Sequence, residues 1–340
     1  MAGIVGYGVY IPRYRIAKKE VGTPWGNSAP GEKAVCGSDE DIVTMAAEAM
    51  VNAINHSDID PTEIEAIYIG TASSPYIEQH IAPILAETLG LRPETTMIDF
   101  SGSLNAVANA VLGCLDAIAA KRIKCGIVVG CEDRATAPGT EGDVNFGAGA
   151  IAMVIGTHGT IADFEGIHTY STLFMDRWHA TGDKWVSNWY DYRFDREYGY
   201  QKHVIEACRG LMQKLGKDAT TFKHVAFPEP DDRVRDLPAK MLGIPRDNLA
   251  PVMSSTLGDL GSCSAFISLA GILDSANPGD RILLASYGSG SSNAMGLVVR
   301  DQIEPKRKRI VPLAKYINGR QPITYTSYLK LKEHLVRAPY

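Results

Sequence analysis

The chain has 340 residues, 45% of them hydrophobic and 21% charged, and a formal net charge of −5. This is room for one large domain or two half-domains with a sizeable core, and the mildly acidic balance points away from nucleic acid as a partner. No apolar run reaches the roughly 18 residues that a membrane span needs.

Gly3 to Pro12 reads as a strand ending at a proline, and the start carries no charged region ahead of an apolar one, so it is not read as a signal peptide. Residues 22–38, rich in Gly, Pro and Ser, read as loop. Ser38 is placed as the cap of a helix over 39–54, whose apolar residues form one stripe. A strand at 66–70 ends in a small-residue loop, and a helix follows at 80–90.

Asp99 to Ala120, DFSGSLNAVANAVLGCLDAIAA, is a Gly/Ser turn feeding a helix with almost no charged face. Such a helix is expected to be fully buried, with Ser103 and Asn105 as N-cap residues. Free N–H groups and the helix dipole converge at its start, which favours an anion or a reactive group there. KCGIVVGCED and GAGAIAMVIG are the next two strands.

The second part repeats the order: a helix over 197–215, a strand within HVAFPEP, a Gly/Ser turn leading to a second nearly uncharged helix, then a strand, a glycine loop and a last strand. The two runs lie roughly 150 residues apart and share little identity, so only the pattern of elements repeats. Alternating strands and helices argue α/β, with the two uncharged helices in a middle layer between sheets. The chain divides into an N-terminal half (1–166), an aromatic insertion (167–196), a C-terminal half (197–300) and a tail (301–340). The insertion holds Trp178, Trp185 and Trp189, three of the four tryptophans, and reads as a lid, a partner surface or a local aromatic mini-core. The KRKR run at 306–309 reads as a solvated basic face. The six cysteines show no CxxC spacing and read as reduced, buried thiols of a cytoplasmic protein, with neither a disulfide frame nor a metal site.

The stretches GIVGYGVYIPRYRI, DEDIVTMAAEA, EAIYIGTASSPY, IKCGIVVGCEDRATAPG, GAGAIAMVIG, RF…YQKHVIEACRGLM and PGDRILLASYGSGS carry a resemblance. Over nearly its whole length the chain resembles the archaeal-type 3-hydroxy-3-methylglutaryl-CoA synthases of the thiolase superfamily. The resemblance implies the five-layer αβαβα thiolase fold built from two similar halves, and a homodimer core. It departs at residues 26–33, where the loop is shorter than the family's.

The family's chemistry uses a cysteine at the buried-helix N-terminus, a glutamate after the strand ending at Gly70, a histidine after the strand at 224–227 and an asparagine at the second Gly/Ser turn. Carried over position by position, these places hold Leu104, Ala72, Pro228 and Asp259. A slip of one or two residues within 101–104 puts Ser103 or Gly102 at the first place, and neither is a cysteine. The resemblance further implies a coenzyme A ester as ligand and no tightly bound cofactor. Arg193 and Lys202 fall where the family has basic residues near the CoA phosphates, and Gly288, Ser289 and Gly290 where it lines the active-site floor.

Three functions follow as expectations. One is a catalytically degenerate subunit working beside a catalytic thiolase chain and a small DUF35 protein of OB-fold and zinc-ribbon type. Another is a cysteine-independent C–C lyase of retro-aldol type with a DUF35 partner, with Asp259 and either Tyr287 or His179 moving protons. The third is an active synthase, whose nearest thiol, Cys114, lies about three turns along the helix. Ser103 as nucleophile lacks a neighbouring base, and Cys263 near the second turn reads as a structural thiol.

Overall fold

The computed structural model describes residues 2–27, 29–189, 191–231 and 234–335; Tyr190 of the aromatic insertion and residues 336–340 of the tail lie outside them. In chain order the elements that matter are β1 (Gly3–Tyr10), β2 (Tyr14–Ala17), β3 (Glu32–Val35), α1 (Ile42–Ser57), β4 (Ala66–Gly70), α2 (Ala82–Thr88), β5 (Thr96–Phe100), α3 (Ala106–Ala119), β6 (Cys125–Asp133), α4 (Glu141–Asn145) and β7 (Ala148–Gly156). They continue with β8 (Ala162–Ser171), β9 (Arg177–Trp178), β10 (Ser187–Asn188), α5 (Lys202–Leu215), β11 (His224–Ala226), α6 (Asp236–Leu242), α7 (Ser264–Leu273), β12 (Arg281–Ala285), β13 (Ser291–Val299), β14 (Gln321–Pro322) and α8 (Tyr325–Leu331).

Nine strands form one ladder in the order β11-β12-β13-β8-β1-β7-β6-β4-β5. Its halves join only where Gly3 and Ile4 of β1 face Asp163 and Ala162 of β8. Successive side chains of a strand point to opposite faces, so each half feeds two cores. Ile67 and Ile69 of β4 pack outward with Met45 and Ala49 of α1, while Tyr68 between them packs inward with Val111 of α3. In the other half Leu283 and Ala285 of β12 pack outward with Leu211 of α5, and Ile282 and Leu284 pack inward with Ile267 of α7. The layers are therefore α1 and α2, the N-terminal sheet, α3 and α7, the C-terminal sheet, α5 and α6. This is the expected αβαβα arrangement, and the near absence of charge from α3, with Asp116 alone at its outer end, and the lack of any in α7 let them lie between two sheets.

Several local expectations change. Asp41, not Ser38, caps α1: Thr44 N–H donates to Asp41 Oδ1 at 2.8 Å and Asp41 N–H to Thr44 Oγ1 at 2.8 Å. Residues 37–40 close a turn ahead of it, which moves the helix start three residues along. The loop expected over 22–38 contains β3, which pairs with β2. The uncharged helix α3 is buried through its first turns but surfaces at Asp116 and Ala119. Strand β8 reaches Ser171 along β13, so the insertion's first residues, 167–171, belong to the sheet. A π-turn over Asp195–Gln201 precedes α5, in place of a regular helix from 197.

The KRKR run is not a free basic face. Lys306 Nζ donates to the carbonyls of Val5 and Gly159 at 2.9 and 2.8 Å, Arg307 donates to Ala276 O, and Arg309 pairs with Asp58. Beyond it α8 buries Tyr328 completely. Lys33 Nζ lies 3.0 Å from the Tyr328 hydroxyl, which donates to Asp143 of α4, and Trp25 Nε1 donates to Tyr325 at 3.0 Å.

Candidate functional site

The turn before α3 brings Leu104 to the helix start, where the loop Gly288-Ser289-Gly290 closes over it. A Cβ on Gly288 would lie 2.5 Å from Asn105 N and 2.6 Å from Leu104 N, so only glycine permits this approach. Ser289 and Gly290 both take left-handed backbone, at φ 51° and 70°. Asn105 does not cap α3 with its side chain. Its amide instead bridges the halves, donating to Ser291 Oγ at 3.1 Å and accepting from Ser286 Oγ. The N-cap reading of Asn105 thus becomes an inter-half tie.

Leu104, Pro228, Asp259 and Tyr287 line one cavity of about 140 Å³. Ala72, Ser103, His179 and Ser289 line an adjoining recess that shares Leu104, Asp176 and Arg177 with it. The four carried-over places therefore converge, with Leu104 at their meeting point.

Their environments differ sharply. Pro228 offers its carbonyl to the Tyr200 hydroxyl at 2.8 Å. Ala72 N–H donates to Oε1 of the buried Glu132 at 2.9 Å, and Ser73 and Ser262 donate their hydroxyls to the same carboxylate. Glu132 thereby ties the loop after β4 to the turn before α7. Asp259 is fixed by main chain on both sides: its N–H donates to Asn145 O at 2.7 Å, and Gly147 N–H donates to its carbonyl at 3.1 Å. Its carboxylate pairs with Arg134 at 2.7 Å and Arg177 at 3.4 Å and accepts from Gly261 N–H at 2.9 Å. Burial alone would raise its pKa, but the two guanidinium groups overcome this and hold it below the ordinary carboxylate value. Asp259 is thus an ionised anchor with both oxygens engaged, which makes it a poor member of the acid/base pair that the retro-aldol expectation needs. Arg134 stacks over the Phe146 ring at 3.5 Å, which fixes the anchor from behind.

Of the proposed partners for Asp259, Tyr287 lines the same cavity and His179 does not. His179 is exposed and its Nε2 lies 2.9 Å from Asp183 O. Arg193 and Lys202 are exposed, neither lines the cavity, and Arg193 pairs with Glu197 at 2.9 Å. Ser103 flanks the recess. Cys263 and Cys114 are fully buried and burial pushes both thiols up, Cys114 lying against Gly126 of β6. Among the described residues no group of three or more His, Cys, Asp or Glu could hold a metal ion.

The aromatic segment supplies what sequence reasoning missed. Arg177, Asp176, Asp195 and Arg196 all reach the cavity, with Glu141 of α4 facing them. Burial, and then Asp176, push the Asp195 carboxyl up to about 6. Burial likewise raises Glu141. Trp178 and Trp189 pack against each other at 5.0 Å, as do Phe174 and Phe194 at 5.4 Å, so the segment has a mini-core of its own. Leu173, Trp189, Phe194 and Tyr198 nevertheless remain exposed. The one sequence signal for these residues was the interruption of the repeat at this point.

Comparison with known proteins agrees with the geometry. Residues 27–162 match the family model of the thiolase N-terminal domain. The hydroxymethylglutaryl-CoA synthase of Methanopyrus kandleri is 35% identical over 343 residues, covering 98% of this chain and 97% of that protein. That of Pyrococcus horikoshii is also 35% identical, over 340 residues, with the same coverage. Among solved structures, MvaS in complex with 3-hydroxy-3-methylglutaryl coenzyme A superposes with a TM-score of 0.88 at 18% identity, covering 100% of this chain and 93% of that one. The 3-oxoacyl-[acyl-carrier-protein] synthase III from Aquifex aeolicus VF5 gives 0.76 at 20% identity, over 88% of this chain and 100% of its own. No helix among the described residues is long and apolar enough to cross a membrane.

Proposed function

The chain belongs to the hydroxymethylglutaryl-CoA synthase family, on the thiolase fold, and we propose that it works there without an acyl-cysteine, as a cytoplasmic subunit of an acyl-CoA acyltransferase assembly. The observation that carries this reading is Leu104. It stands at the start of α3, under the Gly288 loop and at the meeting point of the carried-over places, and an alkyl side chain forms no thioester. A homodimer core would join a catalytic thiolase chain and a small DUF35 OB-fold, zinc-ribbon protein, with the exposed aromatics of the insertion as interface. A coenzyme A ester would bring its acyl end to the cavity and its phosphates toward Arg193 and Lys202, with the Gly288-Ser289-Gly290 loop as floor.

The test is a pull-down of the tagged chain from its own cells, with mass spectrometry of what accompanies it. A thiolase and a small OB-fold protein in fixed ratio support the subunit reading, and the assembly then works without Leu104→Cys. Recovery as a lone homodimer ends it.

A second reading, the cysteine-independent C–C lyase, is favoured by one specific observation. The cavity holds buried polar atoms that complete no well-aligned hydrogen bond, the Asp195 Oδ1, the Arg196 Nε and the Tyr287 hydroxyl, the last drawn toward Asp176.

A further inference from the structure

The polar groups of the cavity divide into those that are spent and those that are free. Asp259 and Arg134 hold each other, Arg177 leans on Asp259, and the Tyr200 hydroxyl is given to Pro228 O. Asp195 and Tyr287 are different. Tyr287 is 8% exposed, and its hydroxyl is drawn toward the Asp176 carboxylate without completing a well-aligned hydrogen bond. The Asp195 Oδ1 is buried and without a hydrogen-bond partner. Leaving such groups unsatisfied is costly, so a pair of them facing one cavity marks a place where a ligand completes the bonding.

The backbone is shaped to bring them together. Asp195 opens the π-turn that ends at Gln201, a geometry frequent at functional sites. Within that turn, a Cβ on Gly199 would lie 2.5 Å from the Tyr287 hydroxyl oxygen. Glycine at 199 is what allows the turn to seat on Tyr287. The charged groups around Asp195 are Asp176, Arg177, Asp191 and Glu141, and Asp176 and Asp195 both act on Tyr287.

We infer that Asp195 and Tyr287 form a proton-transfer pair acting on a short, uncharged β-hydroxyacyl thioester, with Asp195 as base and Tyr287 as hydrogen-bond donor to the thioester oxygen. This rests on the cysteine-independent reading and replaces Asp259 in it. In the cleavage direction the Asp195 carboxylate takes the proton of the β-hydroxyl. The Cα–Cβ bond breaks, the β-carbon leaves as a ketone or aldehyde, and the electron pair passes through Cα to the thioester oxygen, where Tyr287 donates. Asp195 then returns the same proton to Cα, giving the shorter thioester. No oxidant, reductant or metal enters the balance.

Size and charge define the substrate class. A cavity of about 140 Å³ is close to one that holds a benzene-sized molecule, which suits a branched acyl group of a few carbons. With Arg177 engaged by Asp259, the carboxylates of Glu141, Asp176 and Asp195 outnumber the cavity's remaining cation, Arg196, so an acyl group carrying its own carboxylate is repelled. Burial keeps the Tyr287 phenol protonated, as a donor, while Asp195 at about 6 is a carboxylate at neutral pH with a usable proton affinity.

The experiment uses the chain purified from its own cells with whatever accompanies it. The probes are 3-hydroxy-3-methylbutyryl-CoA and 3-hydroxy-3-methylglutaryl-CoA, with acetyl-CoA release followed by mass spectrometry. The expected result is cleavage of the uncharged ester at least tenfold faster than the carboxylated one. Asp195→Asn is expected to lower kcat by about 100-fold or more, with KM little changed and the acid limb near pH 6 abolished. Tyr287→Phe is expected to lower kcat at least tenfold. Melting temperatures of both variants serve as folding controls, and a second variant, Asp195→Glu, is expected to recover part of the rate. Cleavage by the unaltered chain that survives both substitutions within threefold overturns the pair and leaves the cysteine-independent reading intact. No cleavage of either ester overturns both.

Discussion

The cavity has two walls of opposite character. One belongs to the repeated scaffold, where Leu104 ends the turn before α3 and Pro228 follows β11. Apart from Asp259, the side chains it brings to the cavity and its adjoining recess at the carried-over places, Leu104, Pro228 and Ala72, are apolar. The other wall comes from the segment that interrupts the repeat, and it carries Asp176, Arg177, Asp195 and Arg196. The contrast is between a wall held by the packing of the repeat and a wall supplied from outside it. Scaffold positions are bound by packing, as the contact of Gly288 with Leu104 and Asn105 requires. A segment outside the repeat is free of that constraint and can bring new side chains to the same space.

The comparison can be broken most forcefully at Asp259, where the scaffold meets the charged wall. Arg134→Ala removes one member of a pair whose side chains are 3% and 4% exposed, and is expected to destabilise the chain by about 3–5 kcal/mol in urea unfolding. A loss below 1 kcal/mol would mean that Arg177 alone holds Asp259. Gly288→Ala forces a Cβ onto main-chain atoms and should cost about 1–3 kcal/mol, with Gly279→Ala, at φ 85° where a Cβ meets nothing within 4 Å, as a control for backbone conformation without a collision. Leu104→Cys asks whether the apolar wall still has the electrostatics of an active helix start. Its thiol is expected to react with iodoacetamide at least tenfold faster than any native one, because burial pushes Cys36, Cys114, Cys125, Cys131, Cys208 and Cys263 up. Equal rates would mean that the helix start exerts no field on a thiol at position 104.

The smallest effect is at Asp195. Its folded pKa, about 6, lies above its ordinary value, so its protonated form stabilises the chain below about pH 4 and that contribution fades as pH rises through 6. Asp195→Asn is therefore expected to melt slightly higher than the parent at pH 7.5, by about 1 °C after solvent screening is allowed for. The difference should vanish near pH 4. A variant that melts lower at pH 7.5 would mean that the charge is compensated in the folded chain.

Much of the architecture was legible because it follows from apolar patterning. The uncharged faces of α3 and α7 can be satisfied only between two sheets, and the alternation at Ile67, Tyr68 and Ile69 feeds two cores. Strand β8 was not legible: Ala162 and Phe164 alternate with Asp163 and Glu165, but the period breaks at Gly166, where the pairing with β13 shifts register, and His168 and Thr169 follow. The cap of α1 moved from Ser38 to Asp41 because both are good caps and the choice falls to a turn at 37–40. At the site, the convergence of Ala72, Leu104, Pro228 and Asp259 was readable by position, since the scaffold is shared. Asp195 was not, since its importance lies in a buried oxygen without a partner, and no spacing encodes that. Asp259 looked like an acid/base group until Arg134 and Arg177, far away in sequence, were seen to occupy it.

The contact of Tyr328 with Lys33 and Asp143 has a consequence for the order in which the site comes into being. Asp143 belongs to the short helix that carries Glu141 to the cavity rim, and its neighbour Asn145 holds the Asp259 main chain. As the chain emerges from the ribosome, N-terminal parts fold first. Both sheets can form once β13 has been made, yet Lys33 and Asp143 stay without their buried partner until residue 328 is out. The rim is thus completed only after both sheets have been made, and a copy cut short before residue 328 would have a folded scaffold but an unfinished pocket.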